Sequence, residues 1–124
     1  AVGPSIEVRA DTDRLDAEGR FLMAGMWDMH VHIGAGVDGL LHLMSGVTTV
    51  RDMANDEAAL DRLEAAIDDG KDLGPRILRA GFVDGRGPYA GPTKVFADTV
   101  EEGLAAVDAY ADSGYRQIKV YSSL

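Results

Sequence analysis

Two histidines separated by one residue, His30 and His32, constrain this chain more than any other feature of its sequence. They lie in residues 25–33, GMWDMHVHI, where polar and apolar residues alternate as in a β-strand. Because successive side chains of a strand point to opposite faces, Asp28 is predicted to share the face of the two histidines. The opposite face would then be wholly apolar, with Trp27, Met29, Val31 and Ile33. Two imidazoles that converge from a rigid strand can hold a divalent metal through neutral nitrogen atoms.

The histidine pair also has an ordinary structural explanation, as the half-buried polar face of a sheet. The apolar opposite face favours the metal interpretation, because it predicts cover by helices and an equally enclosed space on the histidine side. Enclosed imidazoles need partners, and a metal ion is a suitable one. Two ligands alone leave such a site incomplete.

Helical and extended segments alternate after the histidine strand. Three segments have apolar residues at helical spacing and end at a glycine, and three further segments have the composition of strands. The predicted helices run from Val37 to Gly46, from Asn55 or Asp56 as N-cap to Gly70, and from Thr99, which forms a capping box with Glu102, to Gly114; the predicted strands span 47–53, 76–81 and 117–121. This order predicts an α/β fold with a parallel sheet, either open and doubly wound or part of a (β/α)8 barrel.

Two segments fall outside this alternation. Residues 1–20 combine a short alternating run with the turn signal Glu18-Gly19, which predicts small strands and turns. Residues 82–98 are rich in Gly and Pro and show no periodicity, which predicts a long loop. Tyr89 and Lys94 on that loop can reach a substrate, but an ordinary irregular loop explains them equally well.

Two more residues bear on the chemistry. His42 lies within the first predicted helix, and we expect it to serve helix packing because no neighbouring residue cooperates with it. Lys119 lies between Ile118 and Val120 on the last predicted strand, so its side chain points away from theirs, towards the face that holds the histidines on the first strand. A lysine that extends from the end of the sheet into water is the alternative.

Composition limits the classes of partner. The 124 residues include 21 acidic and 12 basic residues, and the net charge of −9 argues against nucleic acid and anionic membrane as partners. The chain has no cysteine, so a metal site must use nitrogen and oxygen ligands. No Gly-rich phosphate-binding turn follows the first strand, which argues against a nucleotide cofactor. No apolar run reaches the roughly 18 residues of a membrane span, and we expect a cytoplasmic protein.

The histidine pair, the preceding residues 21–28 (FLMAGMWD) and Lys119 on a fourth strand together resemble the metal-dependent amidohydrolase superfamily. The resemblance implies a partial (β/α)8 barrel, strands 1 to 4 with intervening helices, preceded by a short β segment. Residues 1–20, beginning with Ala1-Val2-Gly3-Pro4, would be the end of a small N-terminal β-domain. Residues 21–124 would form the N-terminal half of the barrel.

The same resemblance implies one or two divalent metal ions, commonly zinc. By position, His30 and His32 would ligate the more buried metal, and Lys119 would be carboxylated and bridge two ions. Asp28 is expected to support a ligand rather than to act as a base. The later histidines and the catalytic aspartate of the family belong to strands that follow the fourth, so no catalytic residue is assigned in this chain. Ala24 stands where the family usually has proline.

The implied function is that of a metal-dependent hydrolase that attacks amide or peptide carbon–nitrogen bonds of a small-molecule or peptide substrate with metal-activated water. This chain would be an incomplete portion of it. Two alternatives remain open. One is a non-catalytic half-barrel that forms homo-oligomers through its open sheet edges, and the other is a simple metal-binding module.

Overall fold

The computed structural model of this protein describes residues 3, 5–34, 36–121 and 123, so Ala1, Val2 and Pro4 of the predicted β-domain tail lie outside the described residues. It confirms an α/β fold. The elements are β1 (Met26–Val31), α1 (Val37–Met44), β2 (Val47–Asp52), α2 (Glu57–Asp68), β3 (Arg76–Arg79), β4 (Gly81–Asp84), β5 (Val95–Phe96), α3 (Val100–Asp112) and β6 (Ile118–Val120). Within the described residues, no helix is both long and apolar enough to cross a membrane.

All strand pairs are parallel, as predicted. One sheet has the order β1-β2-β3 and the other has the order β5-β4-β6. Only Ala80 separates β3 from β4, and it joins the sheets because its N–H donates to the Asp52 carbonyl on the β2 side. The next N–H, that of Gly81, donates to the Gln117 carbonyl on the β6 side. The chain from β3 to β4 therefore connects β2 on one edge with β6 on the other.

Helix α2 covers the β1-β2-β3 sheet with the apolar stripe that its sequence predicts. Leu60 and Leu63 are buried against Val50, which is fully buried at the centre of the sheet. The helix begins where the Asp56 side chain accepts a hydrogen bond from Ala59 N at 2.9 Å, so Asp56 rather than Asn55 is the N-cap. It ends before Gly70, whose positive φ of 69° suits a residue without Cβ.

Helix α3 covers the second sheet through close contact with β4. A Cβ at Gly81 would lie only 2.6 Å from the Tyr110 ring, so the absence of a side chain lets the helix approach the strand. The Tyr110 hydroxyl donates to the Phe82 carbonyl at 3.2 Å. The predicted capping box is present in part: the Thr99 hydroxyl accepts from Glu102 N at 3.2 Å, whereas the Glu102 carboxylate accepts from Asp98 N at 2.7 Å, one residue before the N-cap.

Arg79 at the end of β3 ties the sheet to α2. Its guanidinium donates to Asp61 at 2.6 Å and also to Glu64, two carboxylates one helical turn apart. Partial burial acts to lower the pKa of Arg79, but the two carboxylates outweigh it and the pKa is raised further above its ordinary value. The guanidinium therefore stays charged and can bond to both carboxylates wherever these are ionised.

The prediction of small strands near the N-terminus is wrong for the residues that the structure describes there. Residues 5–20 form turns and irregular backbone, and the turn at Glu18-Gly19 is present as predicted. Ile6 and Val8 alternate with polar residues but are 50% and 46% exposed. A strand needs a hydrogen-bonded neighbour, which alternation of residue types does not supply.

The predicted loop over residues 82–98 is wrong in part, because it contains β4 and β5. Phe82 and Val83 are buried and continue the strand that begins at Arg76, and Val95 pairs with Val83. The Gly and Pro residues that predict a loop are confined to residues 85–92, which connect the two strands. Because Gly and Pro residues are frequent in the segment as a whole, the short apolar run Phe82-Val83 at its start is not recognised as a strand from the sequence.

Replacement of Val50 by Ala should lower the free energy of unfolding by about 2 kcal/mol, because it leaves a cavity in a fully packed cluster. Val107→Ala is the matched control, since Val107 is 47% exposed on α3 and its loss should change stability by less than about 0.5 kcal/mol. Urea unfolding of the two variants measures the difference. Equal losses would show that α2 does not pack on this sheet as described.

Candidate functional site

His30 and His32 lie at the carboxyl end of β1, one in the strand and one just beyond it. Val31 and Ile33, which alternate with them, are buried beneath α2. The histidine rings therefore project from the sheet face that α2 does not cover. Their ring centroids are 5.5 Å apart, which places two imidazoles within reach of one small ligand.

The backbone of the neighbouring loop fixes the orientation of His32. Its Nδ1 lies 2.7 Å from the carbonyl oxygen of Ala54, just after β2. A carbonyl oxygen only accepts hydrogen bonds, so Nδ1 of His32 carries the proton and donates it. The other nitrogen, Nε2, is then the one with a free lone pair in the neutral ring. A histidine that donates one N–H to a carbonyl and offers the other nitrogen is the usual form of a metal ligand.

Lys119 approaches His30 from the other sheet. It is the register partner of Phe82 in the β4-β6 pair, so both side chains project from the face opposite α3. The Lys119 ammonium lies 3.5 Å from Nε2 of His30, a long contact in which the lysine can only donate. The predicted placement of Lys119 on the histidine side is therefore what the structure has.

Asp28 does not share the histidine face as the alternation predicted. It lies opposite Val50, while Val31 lies opposite Asp52, so three steps along β1 match two steps along β2. This irregularity puts Asp28 and Val31 on the same side of the sheet. The Asp28 carboxylate accepts from His30 N at 3.1 Å, so it holds the backbone of the irregular segment rather than an imidazole ring.

The predicted enclosure of the first strand is also wrong. Of its apolar residues only Val31 and Ile33 are buried, whereas Trp27 is 55% and Met29 48% exposed. His30 and His32 are exposed as well. The physical reason is that β1 is the edge of its sheet and α2 covers only the carboxyl half of the strand.

Two fully buried carboxylates, Asp52 and Asp84, frame the site. Asp52 ends β2 and accepts from Ile33 N at 2.8 Å, Ala54 N at 3.2 Å and the Asn55 side-chain amide at 2.9 Å. It thereby fixes both the residue that follows His32 in the chain and the loop whose Ala54 carbonyl contacts the His32 ring. With three donors on its carboxylate, Asp52 acts as an anchor for this backbone.

Asp84 has the same function at the end of β4, and no sequence pattern selects it. Its carboxylate accepts from the N–H groups of Gly85, Gly91 and Ser123 at 2.9, 2.7 and 3.2 Å. Asp84 fell within the predicted loop, where an acidic residue is unremarkable. Recognition of β4 would have been the signal, because an aspartate that ends a buried strand needs donors nearby.

A cleft of about 730 Å³ opens beside the histidines, between the start of α2 and the loop that follows β4. His32, Asp56, Lys94 and Tyr121 are among its lining residues. The Lys94 ammonium lies 3.1 Å from the Asp56 carboxylate, and this hydrogen bond lowers the pKa of that carboxyl. Lys94 therefore reaches the cleft, which agrees with the interpretation that this lysine can contact a substrate. Tyr89 on the same loop is 87% exposed.

His42 serves the helix, in agreement with the expectation for it. Its Nδ1 lies 2.8 Å from the carbonyl oxygen of Asp38, four residues earlier in α1. In the part of the chain that the structure describes, no group of three or more His, Asp or Glu side chains converges as a metal site. The nitrogen donors brought together are those of His30, His32 and Lys119.

Comparison with known proteins finds similarity to parts of longer proteins. No family model matches the chain. A deacetylase of Agrobacterium fabrum is 50% identical over 36 residues, which are 29% of this chain and 9% of that protein. Among solved structures, a proposed prolidase from Bifidobacterium longum is similar with a TM-score of 0.63 and 28% identity, and covers 82% of this chain. The ochratoxinase of A. niger has a TM-score of 0.56 at 23% identity over 81% of the chain, which shows a shared fold.

The chain spans only part of the proteins that it resembles. It covers 27% of the Bifidobacterium longum chain and 34% of the ochratoxinase chain. The similarity therefore extends over most of this sequence but over about a third or less of those structures.

Replacement of Asp52 by Asn should destabilise the protein by about 2–3 kcal/mol, because an amide presents one acceptor oxygen to three buried donors. Asp28→Asn is the control, since Asp28 is partly exposed and accepts one hydrogen bond, and should cost less than about 1 kcal/mol. Urea unfolding and hydrogen exchange of the Ile33 N–H measure the effect. Unchanged protection of Ile33 in Asp52→Asn would contradict the assigned role.

Proposed function

We propose that this chain, a member of the amidohydrolase superfamily, is the amino-terminal part of a metal-dependent hydrolase that cleaves amide or peptide carbon–nitrogen bonds. The proteins it resembles carry the names of hydrolases, a prolidase, an ochratoxinase and a deacetylase. Because it spans a minor part of each, the activity of the whole protein is part of the proposal. In this view the catalytic base is supplied by a part of the protein outside these 124 residues.

The fold component of the proposal is that the strands are the first four of a (β/α)8 barrel. Four strands are parallel and pair in the order in which they occur along the chain: β1, β2, the continuous β3-β4 and β6. A helix lies between each strand and the next along the chain. Helices α2 and α3 pack on one side of these sheets, and the histidine and lysine side chains project from the other. In a barrel the helix-free side is the interior, and sites lie at the carboxyl ends of the strands.

One observation carries the metal component: the two imidazoles and Lys119 meet on the helix-free face of the sheets. In the neutral ring of His32, the Ala54 carbonyl at Nδ1 leaves the Nε2 lone pair for a metal, and Nε2 of His30 becomes available once Lys119 no longer donates to it. These donors fit a divalent metal such as zinc, which takes imidazole nitrogen readily. Lys119 would complete the set as a carbamate, whose oxygen atoms suit the same ions.

The residues of this chain have defined roles in such a site. A divalent metal supplies a Lewis acid that polarises a carbonyl group and acidifies water. His30 and His32 would hold it, and Asp28 and Asp52 would hold the backbone of the two histidines in place. The adjoining cleft, lined by His32 and Lys94, is of a size for a small-molecule or peptide substrate. Lys94, when not paired with Asp56, offers a cation to an anionic substrate group.

A second candidate function is self-association without catalysis. Trp27 and Met29 on the edge strand β1 are about half exposed, and Val120 on the edge strand β6 is 57% exposed. Unpaired edges with apolar side chains favour pairing with another copy of the chain. This candidate differs from the first because it requires no metal.

Metal content tests the first candidate directly. After dialysis against zinc and then against metal-free buffer, the native chain should retain about one ion or more, and the double variant His30→Ala, His32→Ala should retain none. His42→Ala is the matched control, because His42 is committed to the Asp38 carbonyl and its loss should leave the metal content unchanged. Elemental analysis measures all three.

Absence of retained metal in the native chain would contradict the metal site in this chain. Sedimentation velocity on the same sample would then distinguish the second candidate, which predicts association that increases with concentration. Equal metal loss in His42→Ala and in the double variant would show that the loss reflects damage to the fold rather than removal of ligands.

Lys119→Ala should reduce the metal content relative to the native chain, and ¹³C-bicarbonate should yield a carbamate signal in the native chain that the variant lacks. The reason is that a carbamate forms only on an uncharged lysine amine. Lys94→Ala is the control, since Lys94 pairs with Asp56 at the other side of the cleft. ¹³C NMR near neutral pH is the measurement, because carbamates are lost in acid. A carbamate signal that persists in Lys119→Ala would refute the assignment.

A further inference from the structure

We infer that the loop after β4 positions Lys119, through the glycine Gly91 and the aromatic rings of Phe82 and Tyr121, here called the ring pair. These three residues lie between the fully buried Asp84 carboxylate and the Lys119 ammonium. None of them is a candidate ligand. They are positioning residues, which act through Lys119.

The ring pair lies directly beside the Lys119 side chain. Phe82 and Tyr121 have ring centroids 4.7 Å apart in an edge-to-face arrangement. The Lys119 ammonium lies 4.8 Å from the centroid of the Tyr121 ring and 5.9 Å from that of Phe82. Both distances are within the range of cation–π attraction. The rings therefore restrict a side chain that would otherwise have many rotamers, and they restrict it to the neighbourhood of His30.

Gly91 is the point at which the loop rests on the rings. A Cβ at this position would lie 2.5 Å from the Tyr121 ring and 2.6 Å from the Phe82 ring. The loop backbone therefore touches both rings, and only a residue without a side chain permits this approach. The contact is held from behind, because the Gly91 N–H donates to Asp84 at 2.7 Å.

Thr93 holds the other side of the same loop segment. Its N–H donates to the Gly91 carbonyl at 2.7 Å, and its hydroxyl donates to the Phe82 carbonyl at 2.6 Å. The position of the ring pair is thus determined by loop backbone that is bonded to β4 at two points. Displacement of the loop moves the rings, and displacement of the rings frees Lys119 from His30.

The functional meaning of this arrangement rests on the proposed function, in which Lys119 is a carbamate and the rings limit its position by steric contact, because cation–π attraction acts only on the ammonium form. In that case the loop that borders the substrate cleft also sets the geometry of a metal ligand. A substrate that contacts the loop would then influence the site through backbone and rings rather than by direct contact.

The test uses lysine ring-current shifts in the full chain. The sequence contains only three lysines, Lys71, Lys94 and Lys119, so ¹³C-lysine labelling gives three sets of Hε–Cε signals that Lys→Arg variants assign. An aromatic ring shifts protons above its face upfield. The Lys119 Hε signals should therefore lie upfield of those of the exposed Lys71 in the native chain.

Gly91→Ala should move the Lys119 signals towards those of Lys71, because the new Cβ displaces the ring pair. Gly87→Ala is the matched control, since a Cβ at Gly87 in the same loop meets nothing within 4 Å and should leave the Lys119 signals in place. The displaced atoms are ring atoms at the ends of side chains, so the fold should persist, which circular dichroism checks. Tyr121→Leu removes the nearer ring and should abolish most of the upfield shift.

Unchanged Lys119 signals in folded Gly91→Ala, or equal changes in Gly87→Ala, would overturn the inference. If Gly91→Ala does not fold, Thr93→Ala decides in the same way, because it releases the loop from the Phe82 carbonyl without adding atoms. These outcomes are separate from the proposed function. If the native chain fails to bind metal, the metal site is refuted and the ring-current result stays intact. If Gly91→Ala alters the Lys119 signals but leaves the metal content unaltered, Lys119 is positioned by the rings but is not a metal ligand.

Discussion

Parallel pairing of the strands is the constraint from which the candidate site follows. In a parallel sheet the carboxyl ends of all strands lie at one edge, so residues that follow different strands meet there even when they are distant in sequence. The histidines close β1, Asp52 closes β2, Asp84 closes β4 and Lys119 lies near the end of β6. Eighty-nine positions separate His30 from Lys119, yet their side-chain nitrogen atoms are 3.5 Å apart. The chemistry of the site is therefore a consequence of topology.

Buried carboxylates stabilise this edge of the sheet. Asp52 and Asp84 are both fully buried, and each accepts from three N–H groups that belong to segments following different strands. Burial of a carboxylate is costly in free energy unless such donors compensate it. Because each carboxylate accepts three hydrogen bonds, it holds the backbone of these segments in place. The acidic residues beside the histidines therefore fix the backbone of the site, and the base of the proposed hydrolysis is not assigned to them.

The helices and most strands could be predicted because their signals are local. The stripe formed by Leu60 and Leu63, the cap at Asp56 and the glycine at position 70 together specify α2 within a few residues. The candidate ligands were also accessible to sequence reasoning, because a His-x-His pair on a strand and a lysine between two β-branched residues each have a definite direction. What these signals share is that neighbouring residues alone determine them.

The features that escaped prediction depend on distant partners. The irregular pairing of β1 with β2 moves Asp28 to the other face of the sheet. No pattern in residues 25–33 predicts this irregularity, because the partner strand determines the register. Strand β4 is too short to show a period, and it is extended because β5 and β6 pair with it. The exposure of Trp27 follows from the position of β1 at the edge of its sheet, which residue alternation does not encode.

Electrostatics links the state of Lys119 to the proposed metal site. An ammonium 3.5 Å from an imidazole nitrogen opposes a cation at that nitrogen, whereas a carbamate at the same place attracts one. The cation–π contacts with Tyr121 and Phe82 favour the ammonium form. In the proposed function, carboxylation of the lysine and binding of the metal therefore favour each other, and together they must offset the loss of the cation–π contacts with the ring pair. The net charge of −9 acts in the same direction, because it raises the concentration of cations around the chain.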